Sequence, residues 1–150
     1  MRYLVTVLTL IFISNFAWAQ DNDCVREFMS KQFETGQNVT NEFINLIINN
    51  KLIEAEQYIS PEVKPNPASK GQFLEQFIAK TGLNQNELRL GKFVGNDLLI
   101  NHKHPDGLVK VNYLVDKAYT HNSSFVLVMY VRTSDKTIFR MDITKDNAKD

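Results

Sequence analysis

The spacing of the apolar residues changes once along this 150-residue chain, close to Asn86. Before that point apolar side chains recur every three to four residues, as on one face of a helix; beyond it they alternate, as on a strand. Hairpin-length connections separate the later runs, which makes them antiparallel neighbours. The pattern therefore predicts an α+β domain in which N-terminal helices pack on one face of an antiparallel sheet.

The first half predicts four helices and one long loop. The helices lie at about 24–35, 39–49, 51–59 and 70–80. Gly36 is expected to end the first of them, because glycine is a poor helix former and a common helix terminator. Ser69 and Gln72 form a capping box for the last helix, which Thr81-Gly82 closes. Three of the four prolines fall within 60–71, so this segment is predicted to be a loop.

The second half predicts a meander of strands. They lie at about 87–94, 97–104, 108–120, 124–133 and 136–144, with turns at Gly95-Asn96 and Pro105-Asp106-Gly107 among them. The strand at 124–133 is apolar on both faces and therefore needs cover on both sides. Helices supply one cover, and a second subunit is the simplest source of the other.

Alternation also assigns the polar strand residues to faces. His102 and His104 share a face in the second strand, and Arg140 and Asp142 share a face in the last. Charged groups are costly to bury unless they are paired or used. If the face of Asp142 lines the space between helices and sheet, its carboxylate and the His102 imidazole would form a proton acceptor and its orienting partner.

Two plainer interpretations stand beside acid–base chemistry. Arg140 and Asp142 can form an ordinary ion pair on the strand surface, and His104 can be a half-exposed residue at a strand end. A metal site is also conceivable, since alternate strand residues can present two imidazoles to one ion. Zinc, however, needs a third or fourth ligand, and no cluster of cysteines and histidines completes the set. We predict neither a metal nor a cofactor.

The start of the chain has the pattern of a secretory signal peptide. Arg2 precedes an apolar run from Leu4 to about Phe16, and Ala17-Trp18-Ala19 supplies the small residues that signal peptidase requires. We expect cleavage after Ala19, leaving 20–150 as a single exported domain, periplasmic or secreted and no longer attached to the membrane. The whole chain has 17 basic and 17 acidic residues, so no net field attracts nucleic acid or anionic lipid.

Four motifs in order resemble one known family. They are EFINLIINNKLIEAEQYISPEV, KPNPASKGQFLEQFI, GNDLLINHKH and KTIFRMDI, which together fall between about Val39 and Thr144. The first resembles the opening helices of the family and the second its His-Asn-Pro loop. The third is similar to a strand that ends in His-x-His, and the fourth to a closing strand with His-Trp-Asp. The chain thus resembles the SnoaL-like branch of the nuclear transport factor 2-like superfamily.

The resemblance implies a strongly curved, cone-shaped sheet around a conical pocket for a small, largely apolar molecule, and a homodimer formed through the outer face of the sheet. It implies cofactor-free acid–base catalysis of an isomerisation, cyclisation or hydration by Asp142 and His102. The ligand contacts that it implies come from His104, Arg140, Tyr113 and Asn66.

The chain also departs from the family pattern at two places. Pro65-Asn66-Pro67 replaces the His-Asn-Pro of the loop, and Arg140-Met141 replaces the His-Trp before the aspartate. One pocket histidine is thereby missing, and an arginine lies next to the expected acid. These departures favour the alternative hypothesis, in which the chain is a non-catalytic binding or assembly module on the same scaffold.

Overall fold

The structure, a computed structural model, describes the backbone of 2–63, 71–83, 85–101, 104–115 and 124–145, and the side chains of 23–63, 71–83, 85–100, 107–115 and 124–144. Residues up to Gln32 form one compact unit and those from Phe33 onward form another. The α+β prediction is confirmed, because helices come first and an antiparallel sheet of four strands follows.

The helices are α1 (Arg2–Ile48), α2 (Leu52–Ala55), which continues into a 3-10 turn (Glu56–Tyr58), α3 (Gln72–Thr81) and α4 (Gln85–Leu90). The strands are β1 (Lys92–Asn101), β2 (His104–Val115), β3 (Phe125–Arg132) and β4 (Thr137–Lys145). Sequential strands pair with each other, so the sheet order is β1-β2-β3-β4, an uninterrupted meander.

The helix end predicted at Gly36 is wrong, because α1 continues through it without a break. Gly36 is buried, and a Cβ atom at this position would lie 2.7 Å from Cγ1 of Val109 in β2. The missing side chain lets the helix approach the sheet closely. Packing against the sheet therefore outweighs the poor helix propensity of glycine, which is about 1 kcal/mol relative to alanine.

The C-terminus of α1 is closed by its own backbone. Asn50 has a left-handed conformation with φ of 59°. Its N–H donates to the carbonyl of Ile47 at 3.0 Å, and the N–H of Lys51 donates to the carbonyl of Leu46 at 2.8 Å. This is the Schellman arrangement, in which asparagine can replace the usual glycine.

The N-terminus of α3 is capped by a residue from outside the helix. Glu56 is 5% exposed, and its two carboxylate oxygens accept hydrogen bonds from the backbone N–H groups of Gly71 (2.7 Å) and Leu74 (3.1 Å). A carboxylate at this position satisfies free backbone donors and interacts favourably with the helix dipole. The helix ends at Gly82 as predicted, whereas Ser69 of the predicted capping box lies outside the described residues.

The first predicted strand is wrong over its first half, where residues form α4 instead. Leu88 of α4 is buried in the core, and its carbonyl accepts a hydrogen bond from the Tyr113 hydroxyl at 2.8 Å. The turn predicted at Gly95-Asn96 is also wrong, since β1 runs through it with a register shift between Phe93 and Gly95. The tripeptide at 105–107, predicted to be a turn, belongs to β2.

The two faces of the sheet differ in burial. One face, the core face, packs with the helices into a single apolar cluster. Its strand residues include Val109, Val111, Tyr113, Val115, Leu127, Met129 and Val131, all buried. From the helices, Phe43, Ile47, Leu74 and Leu88 join the same cluster.

Candidate functional site

The outer face of the sheet is the face opposite the helices, and its residues alternate with those of the core face. Strand register arranges them in cross-strand rows. One row is Asp97, Lys110, Tyr130 and Arg140; the next is Gly95, Asn112, Val128 and Asp142. Cross-strand neighbours of this kind lie about 4.5–5.5 Å apart at Cβ, so each row forms a continuous surface.

A concavity of about 360 Å³ lies on the outer face, and we call it the outer groove. It is lined by Val94, Lys110, Asn112, Val126, Val128, Tyr130, Asp142 and Thr144. Gly95 contributes no side chain to its row, so the sheet surface forms a depression next to Asn112. Valines and an aromatic ring thus form the floor, and Lys110 and Asp142 stand on opposite sides of it.

The charges around the outer groove are paired. Arg140 Nε donates to Asp142 Oδ2 at 2.7 Å, and the guanidinium carbon of Arg140 lies 5.5 Å from the centre of the Tyr130 ring. On the other side, Lys110 Nζ lies 3.2 Å from Asp97 Oδ2. The side chains of Arg140 and Asp142 are 63% and 33% exposed, so water reaches this ion pair. The groove therefore offers charge of both signs at its rim and no excess of either.

This environment limits what Asp142 can do. A general base works on a substrate that is held and shielded from solvent, within hydrogen-bond reach of the carboxylate. Asp142 instead lies on an open sheet surface, and one of its carboxylate oxygens accepts a hydrogen bond from the Arg140 guanidinium. The pair is suited to anchoring a polar group of a bound molecule, because both of its members remain accessible.

Tyr113 lies on the core face, away from Asp142. It is 7% exposed, its hydroxyl donates to the Leu88 carbonyl, and its ring meets that of Phe93 edge to face at 5.1 Å. Burial raises the pKa of its phenol above the ordinary value. The structure thus brings Arg140 and Asp142 together and separates Tyr113 from both.

Asn66 and His102 lie outside the described residues, and so does the side chain of His104. The strand predicted at 97–104 is wrong at its end, because β1 ends at Asn101 and His104 begins β2 opposite it. Among the side chains that the structure describes, no group of three or more histidines, cysteines or carboxylates could hold a metal ion. Roles for His102, His104 and Asn66 stay predictions.

Lys110 and Asn112 line the outer groove, although sequence reasoning did not select them. The alternation of β2 indicated that they lie on the outer face, because they alternate with the buried residues of the core face. What the sequence could not supply was the pairing with β1 and β3 that brings them beside Val94, Val128 and, two strands away, Asp142.

No family model matches the chain, and no curated protein or solved structure matches it either. The resemblance to the SnoaL-like branch therefore rests on the four motifs alone. Among the described residues, no helix has both the length and the apolar character that crossing a membrane requires.

Proposed function

We propose that this chain is a non-catalytic binding or assembly module, exported after cleavage at Ala19, that associates with a second copy of itself through the outer face of its sheet. The observation that carries the proposal is the position of the Arg140–Asp142 pair. It stands at the rim of an open apolar groove, not inside an enclosed cavity with Tyr113.

The packing of the core face supports a module without catalysis. A conical active site would lie between the helices and the sheet. Phe43 from α1 and Leu127 and Met129 from β3 belong to the cluster on that side, and each is at most 2% exposed. Close-packed side chains leave little room for a substrate.

The composition of the outer face supports a second copy as the binding partner. An isologous interface needs a surface that is complementary to itself. Lys110 and Asp142 lie on opposite sides of the apolar floor, so a two-fold rotation brings the Lys110 of each subunit towards the partner's Asp142. Cleavage after Ala19 removes Arg2 and leaves 16 basic and 17 acidic residues, a formal net charge of −1, so two copies repel each other only weakly.

Exposed apolar residues extend the surface beyond the groove. Leu99 of β1 lies on the outer face two residues beyond Asp97 and is 39% exposed, and Val94, within the groove, is 49% exposed. Together with the floor they form a patch that water solvates poorly, and sheets commonly bury such patches by packing face to face at about 10 Å. Covering this patch would also explain why β3 is apolar on both faces.

We also propose that the sheet is curved in the manner of the nuclear transport factor 2-like superfamily. Register shifts occur in β1 between Phe93 and Gly95 and between Leu99 and Asn101, and in the β3–β4 pairing between Tyr130 and Val131. Bulges of this kind bend strands and increase their twist. Three of them in four strands support a bent sheet over a flat one.

Sedimentation velocity over a concentration series tests the proposal. The unchanged protein is expected to form dimers, and Val94→Asp is expected to weaken the dimer at least tenfold, because it places an unpaired charge in an apolar contact. Ile53→Asp is the matched control, since Ile53 is 59% exposed but lies in α2, away from the outer face. A protein that stays monomeric at millimolar concentration, or equal loss in both variants, would contradict the proposal.

A further inference from the structure

A second concavity, of about 350 Å³, lies among the helices and is separate from the outer groove. All of its lining residues belong to the end of α1, to α2, α3 and α4, or to the short connections between them. None of the strand residues that the structure describes contributes to it. We call it the helical pocket, and its volume is near the lower end for small-molecule sites, which span about 300–1,000 Å³.

The floor of the helical pocket is aliphatic and belongs to the core of the domain. It consists of Ile47, Leu52, Ile78, Leu83 and Leu88. Three of these side chains are at most 5% exposed, and the other two pack against the same core cluster. Because core packing holds these side chains in place, the floor exists before any ligand binds, which reduces the entropy lost on binding.

The rim of the pocket is made of carboxamides. Asn50, Gln85 and Asn86 line it, and Gln85 Nε2 donates to Asn50 Oδ1 at 3.3 Å across 35 positions of sequence. The Schellman arrangement at the end of α1 fixes the backbone of Asn50. The described residues leave Asn50 Nδ2 as a donor and Gln85 Oε1 as an acceptor towards the pocket, so the rim can both donate to a ligand and accept from it.

The electrostatics of the pocket favour an uncharged ligand. None of its eight described lining residues is charged. Two helices, α1 and α3, end beside it, and two others, α2 and α4, begin beside it, so partial charges of both signs from helix termini oppose each other there. An anion or a cation would therefore lose its hydration without gaining an opposite charge from the lining.

We propose that the helical pocket binds a small neutral amphiphile, with an aliphatic body against the leucine and isoleucine floor and one uncharged hydrogen-bonding head, such as a primary amide or an alcohol, at the carboxamide rim. This site is independent of the outer groove. A second copy of the chain could occupy the groove while the helical pocket holds its ligand.

Calorimetric titration with two probes of equal chain length tests the charge argument. Octanamide and octanoate share an aliphatic body and differ in the charge of the head group. Octanamide is expected to bind at least tenfold more tightly than octanoate at pH 7. Equal affinity, or no heat from octanamide at its solubility limit, would overturn the proposal.

Two pairs of variants test the location. Ile78→Trp fills the pocket, whereas Gln76→Trp places the same ring on the exposed side of α3. Asn50→Gly removes the rim amide while tolerating the positive φ, and Asn49→Gly is its control one residue earlier. The pocket variants are expected to weaken octanamide binding at least fivefold and the controls less than twofold. Should Ile78→Trp fail to fold, Asn50→Gly decides alone, and unchanged affinity there would refute the site.

Discussion

The two faces of the sheet are made from the same strands and yet serve different purposes. On the core face, valine, leucine and methionine side chains from β2 and β3 are sealed by the helices. On the outer face, Val94, Val126 and Tyr130 line a groove that water can enter, with ion pairs beside it. One face stabilises the fold, and the other is the surface that we propose for binding.

Strand alternation explains why Tyr113 and Asp142 do not share a pocket. Asp142 follows a period of two along β4, and this places it opposite Met141 and Ile143, which face the core. A carboxylate on the core face would have to be buried without solvent. The alternation that keeps β4 amphipathic therefore places Asp142 on the outer face.

The largest contrast between the faces is expected for truncated apolar side chains. Met129→Ala on the core face should lower the free energy of unfolding by about 2–5 kcal/mol, because it leaves a cavity at a fully buried position. Val126→Ala on the outer face should lower it by less than about 1 kcal/mol, since Val126 is only half-buried. Urea denaturation in dilute solution measures both. Similar losses in the two variants would mean that the faces do not differ as described.

The second largest difference in the free energy of unfolding is expected between variants that lose a buried carboxylate and variants that lose an exposed one. Glu56→Gln is expected to cost about 1.5–3 kcal/mol, because the neutral amide cannot accept both hydrogen bonds at the start of α3. Glu62→Gln is the control: Glu62 binds Arg132 at 3.2 Å but is 61% exposed, and an exposed pair contributes about 0–1 kcal/mol. The prediction would be refuted by a Glu56 variant as stable as the Glu62 variant.

The Tyr113 hydroxyl on the core face should make the free energy of unfolding depend on pH above pH 10. Tyr113→Phe is expected to cost about 1 kcal/mol at neutral pH, because the hydrogen bond to Leu88 is lost. Burial raises the folded pKa of Tyr113 above 10.0, so its contribution is complete below pH 10 and is lost as pH rises through the folded pKa. The advantage of the wild type over the variant should therefore shrink above pH 10 in denaturation curves. An advantage that grows with pH would have the wrong sign.

The smallest effect on folding is expected at the outer ion pair. Asp142→Asn should change the free energy of unfolding by about 0–1 kcal/mol, since water reaches both charges. Asp97→Asn, at the other ion pair of the outer face, should behave alike. Thermal unfolding in dilute solution is sufficient to measure both. A loss of more than about 2 kcal/mol at Asp142 would indicate that the aspartate is buried and structural.

Much of the fold was predictable because it depends on local patterns. The change of period near Asn86 indicated the α+β class, and alternation correctly placed Arg140 and Asp142 on one face. The wrong predictions concern positions where contacts between residues far apart in the sequence determine the local structure. The helix continues through Gly36 because Val109 of the sheet packs against this position. Leu88 lies in a helix, and its carbonyl accepts a hydrogen bond from the Tyr113 hydroxyl.

The candidate site was less predictable for the same reason. Alternation says which residues share a face, but not which face the helices cover. The family resemblance implies one pocket for Tyr113 and Asp142, whereas the pairing of β2, β3 and β4 places them on opposite sides of the sheet. The helical pocket joins Ile47 with Leu88 across 41 positions, which no local pattern encodes.

Solvent access to methyl groups, compared within one sample, shows whether two copies meet through the outer face. A soluble paramagnetic chelate relaxes the methyl signals that solvent can reach, and spectra are recorded in dilute and concentrated solution. We expect Val94 and Val126 to become protected at high concentration, while exposed Ile53 and Leu90 stay relaxed throughout. If the Val94 methyls remain as strongly relaxed as those of Ile53 at the highest concentration, the outer face is not where two copies meet.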